Sequence, residues 1–272
     1  MHWKTGIGIG LGMMGLAIFF KGYVNSKKLD LTRVALAIPD LSLLFDGFRL
    51  LFLTDLHFRP RSPHVEQLLA LINELQPDLV CLGGDYVIGP QALPEIERFF
   101  ATLSTRDNVV GIYGNTDYRH VTAHDRRHWA DLLPFLTNSA VCLERDGQHL
   151  WVAGVDDPHL GADDLPLALR DVPPATPVLL LAHSPEVLRH QLDPRVRLIL
   201  CGHTHGGQIC LPGGRALYNN MPFPPELSSG LHQVNDAQLY VSRGIGSTRI
   251  PVRFNCLPEA VLFTLTRGGE GG

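Results

Sequence analysis

The sequence predicts an α/β fold in which two β-sheets pack together and helices cover their outer faces. Short apolar runs of strand length recur along the body of the chain and are separated by polar loops. In the first half these runs alternate with amphipathic helical stretches, whereas the second half is richer in strands. The 272 residues are 45% apolar and carry a formal net charge of only −4, which excludes a disordered chain.

Each element of this fold is predicted from a local pattern. The apolar run 48–54 predicts the first strand of the body. Ser62 and Pro63 open a helix whose apolar residues recur at helical spacing until Pro77 ends it, and Ser184 opens a short helix. A further helix is predicted near 92–103, and further strands are predicted at 78–82, 109–113, 141–143, 150–155, 178–182, 197–200, 208–211, 239–242 and 260–265.

The first 24 residues form a separate apolar segment. No charge lies between Lys4 and Lys21, but at a helical rise this stretch covers only about 24 Å of the roughly 30 Å hydrocarbon core. Snorkelling of Lys21 would extend it. We therefore expect an uncleaved anchor at 1–24, a linker at 25–47 and a large domain at 48–267. A cleaved signal peptide and a soluble apolar arm are the alternatives.

The basic residues around this segment indicate its orientation. More of them follow it than precede it, so the positive-inside rule predicts a single inner-membrane anchor with the large domain in the cytoplasm. The five cysteines agree with a reducing compartment, because their number is odd and most lie in apolar runs.

Five polar motifs follow the ends of apolar strands. Loops at strand ends are where a rigid scaffold presents functional groups, so we expect these motifs to meet at one edge of the fold. Together they bring two carboxylates, four imidazoles and one carboxamide. The motifs are Asp55-Leu56-His57, Gly84-Asp85, Gly114-Asn115-Thr116-Asp117, His183 and Gly202-His203-Thr204-His205.

Seven side chains of these motifs are candidate metal ligands. Nitrogen and oxygen donors of this kind suit Mn²⁺, Fe or Zn²⁺ better than Ca²⁺ or an iron–sulfur cluster. They are too many for one ion with an open position, but they suffice for two ions, with Mn²⁺ preferred, if one carboxylate bridges. The candidates are Asp55, His57, Asp85, Asn115, His183, His203 and His205.

In order and spacing these motifs resemble the calcineurin-like metallophosphoesterases over residues 48–265. The resemblance implies a four-layer α/β sandwich of two mixed β-sheets flanked by helices. It also implies that the large domain at 48–267 is a metal-dependent hydrolase, in which a metal-bound hydroxide attacks phosphorus in a phosphoric anhydride or ester. Asp117 would orient its loop rather than bind metal.

The resemblance also divides the ligands between two metals, with Asp85 as the bridge. One metal would take Asp55, His57, Asp85 and His205. The other would take Asp85, Asn115, His183 and His203.

Thr116 departs from the family pattern, which has a histidine there that contacts phosphate or protonates the leaving group. An ester benefits from such a general acid. A pyrophosphate needs it less, because its leaving group is a stable phosphate anion. Thr116 therefore favours a phosphoanhydride substrate, unless His120, His124 or His128 supplies the proton. We expect catalytic roles for Asn115, Thr116, His203 and Arg243, and phosphate-binding roles for Arg59, Arg243 and Arg253.

The stretches 201–209, 242–246 and 251–254 resemble a membrane-associated bacterial branch of the family. That branch includes UDP-2,3-diacylglucosamine pyrophosphatases of lipid A synthesis, which release UMP and 2,3-diacylglucosamine 1-phosphate. The expected partners are therefore a membrane and a phosphate-containing small molecule or lipid, with the apolar loop 218–225 near acyl chains.

Two alternatives stay open. One is a phosphodiesterase or phosphomonoesterase acting on another envelope or nucleotide substrate. The other is a non-catalytic binding module stabilised by metal. The acidic charge balance argues against a nucleic-acid partner.

Overall fold

The computed structural model describes residues 2–218 and 221–268. Within these residues, eleven strands and six α-helices follow one another, with short 3₁₀ turns between them. The helices are α1 (His2–Asn25), α2 (His64–Leu75), α3 (Leu93–Leu103), α4 (Asn115–His120), α5 (Ala123–Leu132) and α6 (Leu165–Ala168). The strands are β1 (Asp30–Ile38), β2 (Phe48–Leu53), β3 (Leu79–Leu82), β4 (Val109–Gly111), β5 (Ser139–Arg145), β6 (Gln148–Gly154), β7 (Val178–Leu181), β8 (Val196–Cys201), β9 (Gly230–Val234), β10 (Ala237–Val241) and β11 (Glu259–Arg267).

The strands form two mixed sheets. The first has the order β1-β11-β2-β3-β4 and the second the order β5-β6-β7-β8-β10-β9. In the first sheet β2, β3 and β4 run parallel, and in the second β7, β8 and β10 do so. The carboxyl ends of each parallel set therefore lie along one sheet edge, where a strand-end motif can meet its neighbours.

Three apolar layers hold the sheets and helices together. The middle layer lies between the sheets and includes Phe52 from β2, Leu200 from β8 and Phe263 from β11. One outer layer packs α2, α3 and α5 against the first sheet, and the other packs α6 against the second. The predicted four-layer α/β sandwich of two mixed sheets is therefore confirmed.

The segment 25–47, which the sequence assigns to a linker, contains strand β1. It pairs in parallel with β11 along its whole length, from Asp30 opposite Glu259 to Ile38 opposite Arg267. Its outward residues are exposed, so local hydropathy gives a weak strand signal. The local sequence patterns also predict neither the edge strand β9 nor the short polar helix α4. The predicted strand at 208–211 makes only isolated bridges, to Phe254 and Ala216.

The predicted single N-terminal membrane anchor, and with it the inner-membrane location, is wrong. In the described part of the chain, no helix is long and apolar enough to cross a bilayer. The uncharged stretch of α1 is short for that purpose, and its glycines lower its hydropathy. The end of α1 instead packs on the domain. The Gly22 carbonyl accepts a 2.9 Å hydrogen bond from the Arg253 backbone, and a Cβ at Gly22 would lie 2.5 Å from the Phe254 ring.

Candidate active site

The five polar motifs meet where the parallel strands of the two sheets end. Asp55 and His57 follow β2, Asp85 follows β3, and Asn115 begins α4 just after β4. From the second sheet, His183 follows β7, and His203 and His205 follow β8. All seven predicted ligands are buried, although they lie on a cavity wall or directly behind it.

The backbone of the site is held in an unusual conformation. Five of the seven residues have a left-handed φ: Asp55 (52°), His57 (39°), Asp85 (57°), His203 (70°) and His205 (53°). Non-glycine residues adopt this region rarely, and they remain there only where surrounding contacts fix them. Here the loops fix each other, since the backbone amides of Asp55 and His57 donate 2.9 Å bonds to the carbonyls of Gly84 and Asp85.

Gly202 allows the two sheets to approach closely at the site. A Cβ at this position would collide with the Asp55 carboxylate and the Thr54 hydroxyl. The next residue uses the space, because the His203 amide donates bonds of 2.9 and 3.1 Å to the two Asp55 oxygens. This contact joins the β2 loop of one sheet to the β8 loop of the other.

One group of ligand atoms surrounds the Nε2 atoms of His57 and His205, which lie 3.0 Å apart. The His57 nitrogen is 3.5 Å from Oδ2 of Asp85, and the His205 nitrogen is 3.5 Å from Oδ1 of Asp55. Asp55, His57 and His205 have the spacing of a cation site.

A second group of ligand atoms lies on the other side of Asp85. Its Oδ1 is 3.4 Å from His183 Nε2, which in turn is 3.3 Å from His203 Nδ1. The amide oxygen of Asn115 is 3.1 Å from the same His203 nitrogen. Asp85 therefore presents one oxygen to each group, which is the arrangement a bridging carboxylate needs.

Buried hydrogen bonds orient these ligands from behind. His183 Nδ1 lies 2.8 Å from the Gly83 carbonyl, to which it donates, so Nε2 is the ring nitrogen that faces Asp85. Asp117 accepts backbone bonds of 2.8 Å from Asp85, 2.9 Å from Tyr86 and 2.9 Å from Gly114. Its carboxylate thus orients the loops that carry Asp85 and Asn115, as the resemblance implies.

Burial adjusts the proton affinities of the site toward metal binding. It lowers the pKa of His57 to about 4 and that of His203 to about 3, and it holds the pKa of His205 well below its usual range. These three imidazoles are therefore neutral at neutral pH, as metal ligands must be. Burial also raises the pKa of Asp55 to about 6.

The Asp85–His183 pair behaves differently. Burial alone would raise the pKa of Asp85, but the neighbouring His183 charge and hydrogen bonds hold it well below its usual range. Burial alone would lower the pKa of His183, but the Asp85 carboxylate raises that pKa well above its usual range. Asp85 is thus anionic and attracts positive charge. The donor set fits two divalent cations, because neutral imidazoles and anionic carboxylate oxygens converge from both sides of Asp85.

The site opens into a cavity of about 880 Å³. Thr116 lies on its wall, and the Thr116 amide donates a 2.8 Å bond to Asp85 Oδ1. His120 also lies on the wall, whereas His124 and His128 do not. Of the three histidines considered as proton donors, the structure brings His120 to the cavity.

The structure does not bring the three predicted phosphate-binding arginines to the cavity wall. Arg243 instead forms 2.9 Å ion pairs with Asp30 and Glu259, which tie β10 to β1 and β11, so the structure does not support its expected catalytic role. Arg253 is fully buried and donates to backbone carbonyls, among them Arg243 at 2.8 Å and Gly244 at 3.1 Å. Arg59 donates to the carbonyls of the loop 247–249.

Other basic residues that the sequence motifs do not mark line the cavity instead. They are Arg119 on α4, Arg249 and His159. The His159 ring lies 4.6 Å from that of His203, and its Nδ1 is 2.8 Å from the buried Glu186 carboxylate. None follows a strand in a recognisable motif, so only the position of each in the fold identifies it.

Comparison with known proteins identifies the family. Residues 48–207 match the family described as calcineurin-like phosphoesterase, which is more than half of the chain. The chain belongs to the calcineurin-like phosphoesterases. The family uses a dinuclear metal centre, so this phosphoesterase is a metal-dependent hydrolase of phosphoester bonds with residues that can hold metal.

Curated relatives of this calcineurin-like phosphoesterase span most of its length. It is 31% identical over 238 residues to the uncharacterized metallophosphoesterase YkuE of Bacillus subtilis, covering 81% of this chain and 80% of that one. It is 30% identical to the phosphodiesterase YaeI of Escherichia coli, covering 80% and 82%. It is 24% identical to the UDP-2,3-diacylglucosamine pyrophosphatase LpxG of Chlamydia trachomatis, covering 89% and 90%.

Proposed function

We propose that this phosphoesterase hydrolyses a phosphoanhydride, UDP-2,3-diacylglucosamine, to UMP and 2,3-diacylglucosamine 1-phosphate. The observation that carries the proposal is Thr116 on the cavity wall beside Asp85. Its hydroxyl lies 3.5 Å from the Val87 carbonyl oxygen and is a poor acid. A substrate whose leaving group is a phosphate anion needs no strong acid at this position.

We assign seven residues to two metals, with Asp85 between them. When bound, the two cations lower the pKa of water and neutralise the oxygens of the phosphate under attack. Asn115 and His203 line the cavity, with the Asn115 amide oxygen 3.1 Å from His203 Nδ1, and would also orient that phosphate. The first metal is assigned to Asp55, His57, Asp85 and His205, and the second to Asp85, Asn115, His183 and His203.

The rim of the cavity supports a substrate with acyl chains. Ile209, Leu217 and Tyr218 line it with 39%, 60% and 74% of their surfaces exposed. Apolar side chains this exposed lose unfavourable contact with water when a hydrocarbon chain covers them. The similarity to LpxG agrees with this substrate class, although it is distant at 24% identity.

A phosphodiesterase is the second candidate, and His120 is the observation that favours it. This imidazole lies on the cavity wall, where it could protonate an alkoxide leaving group. The 30% identity to the phosphodiesterase YaeI also agrees with it. A non-catalytic module is disfavoured, because all seven metal-ligand types are present and converge.

Mass spectrometry of the reaction products tests the proposal. The protein is incubated with Mn²⁺ and UDP-2,3-diacylglucosamine in H₂¹⁸O, with bis-p-nitrophenyl phosphate as a second substrate. We expect UMP and 2,3-diacylglucosamine 1-phosphate, with the label showing which phosphorus is attacked. Turnover of the diester alone would replace the proposal by a phosphodiesterase, and turnover of neither would support the binding module.

A further inference from the structure

The cavity wall beyond the metal ligands is positively charged. Among the described residues that line the cavity, Asp85 is the one acid, and it belongs to the metal site. Arg119, His120 and Arg249 also lie on the wall, among neutral and apolar residues and beside His159, and their side chains form no ion pair or hydrogen bond with any residue that the structure describes. Such groups are available to a negatively charged part of a substrate.

Arg249 is presented by a loop that is fastened in place. The Gln208 side chain accepts a 2.9 Å bond from the Thr248 amide and donates a 3.0 Å bond to the Ile250 carbonyl. The Arg59 guanidinium donates a 3.3 Å hydrogen bond to the backbone carbonyl of Arg249 itself. Arg249 nevertheless has a left-handed φ of 48°. A strained residue with a fixed backbone and an unpaired guanidinium on a cavity wall indicates a binding role.

Arg119 and His120 reach the cavity from the last turn of α4. They lie four residues after Asn115 and Thr116, so each shares a helix face with one of them. Helical side chains lean back toward the N-terminal turn, which here carries the metal-ligand candidate Asn115. Basic residues also favour a helix C-terminus. That preference does not explain Arg249, which lies outside any helix.

We propose that Arg119, His120 and Arg249 form a subsite for the second, leaving phosphate of a phosphoanhydride substrate. This inference rests on the proposed pyrophosphatase function. The residues assigned to the two metals would serve the phosphate under attack, whereas the second phosphate carries further negative charge that needs partners of its own. Guanidinium groups bind phosphate oxygens through paired hydrogen bonds, which makes arginine suited to this subsite.

Binding of UDP and UMP to the metal-loaded protein tests the subsite by calorimetry. The two ligands differ by the second phosphate alone. We expect UDP to bind at least about tenfold more tightly than UMP, and Arg249→Gln or Arg119→Gln to reduce that ratio about tenfold. Arg127→Gln is the matched control, because Arg127 is exposed on the adjacent helix α5 and does not line the cavity.

The same variants are then assayed on UDP-2,3-diacylglucosamine and on the p-nitrophenyl ester of UMP, which has a single phosphate. We expect their kcat/KM for the diphosphate to fall at least about tenfold more than for the diester. Equal falls on both substrates, with an unchanged UDP/UMP ratio, would overturn the subsite and leave the pyrophosphatase intact. Failure of the unsubstituted protein to cleave any phosphoanhydride would overturn the proposed function instead.

Discussion

At the scale of single residues, Asp85 is the centre of the site. Its two oxygens face His57 and His183 at 3.5 and 3.4 Å, and its backbone carbonyl fixes the His57 amide. One carboxylate oxygen of Asp55 lies near His205, and both oxygens accept hydrogen bonds from the His203 amide. We propose that Asp85 bridges two cations, whereas Asp55 also joins the loops of the two sheets.

Replacing Asp85 tests its proposed role as the bridge. Asp85→Ala is expected to lower bis-p-nitrophenyl phosphate turnover at least about a thousandfold, because both cations lose a ligand. Elemental analysis should find fewer than two metals per chain, while thermal unfolding shows a folded protein. Asp131→Ala, an exposed acid on α5, serves as the control. Retained turnover with two metals would remove Asp85 from this role.

The Asp55 carboxyl predicts how metal affinity changes with pH. Burial raises its pKa to about 6, so without metal this carboxyl is protonated below that pH and ionised above it. Since a ligand carboxylate must be ionised, Mn²⁺ affinity should fall about tenfold for each pH unit below 6. Equilibrium dialysis at pH 5 and pH 7.5 measures the change. An affinity that is flat across this range would contradict the prediction.

Thr116 predicts a dependence on the leaving group. Thr116→His restores the acid that the family pattern has at this position, so it should accelerate esters with poor leaving groups about tenfold or more. Phosphoanhydrides should change little, because their leaving group is already a stable anion. Rates on an alkyl ester and on UDP-2,3-diacylglucosamine give the comparison. The same acceleration on both would defeat the leaving-group argument.

At the scale of elements, the start of α4 is shaped by Asp117. This buried carboxylate holds the Gly114, Asp85 and Tyr86 amides, so one side chain joins the loops after β3 and β4. The site is therefore built on the ends of strands and not on freely moving loops. The local sequence indicates a turn at Gly114-Asn115. It does not indicate that the Asp117 carboxylate accepts hydrogen bonds from the loop after the neighbouring strand β3.

Asp117→Asn tests this link. An amide replaces one acceptor oxygen by an N–H donor, which leaves at least one buried amide without its partner. We expect a loss of about 1–3 kcal/mol in the free energy of unfolding and a fall in turnover. Urea unfolding measures the first quantity. Asp125 belongs to the capping box at the exposed start of α5. Asp125→Asn should lower the free energy of unfolding less, because water can satisfy the partners of Asp125.

At the scale of the whole molecule, residues before the first motif complete the central sheet. Strand β1 covers one edge of β11 with nine paired residues, and Asp30 at its start forms an ion pair with Arg243. The far edge of the same sheet is β4, which leads directly to Asn115. The sheet that positions four of the seven candidate ligands is thus completed by a segment that the sequence assigns to a linker.

Two truncations separate the roles of α1 and β1. Removal of residues 1–20 leaves Gly22 on Phe254, so the protein should stay folded and active. Removal of residues 1–38 deletes β1 and exposes the edge of β11, and this variant should aggregate or unfold. Circular dichroism and diester turnover distinguish the two. A stable, active protein without β1 would show that the strand is dispensable.

The sequence alone determined the five motifs, the strands before them and hence the candidate metal ligands and the family, because these features depend on short local patterns. Tertiary structure decided which basic residues line the cavity. Arg243 follows β10 beside two glycines and pairs with Glu259, and Arg253 donates to backbone carbonyls, whereas Arg119 and Arg249 reach the cavity. The direction of a long side chain depends on partners distant in sequence, which no local pattern records.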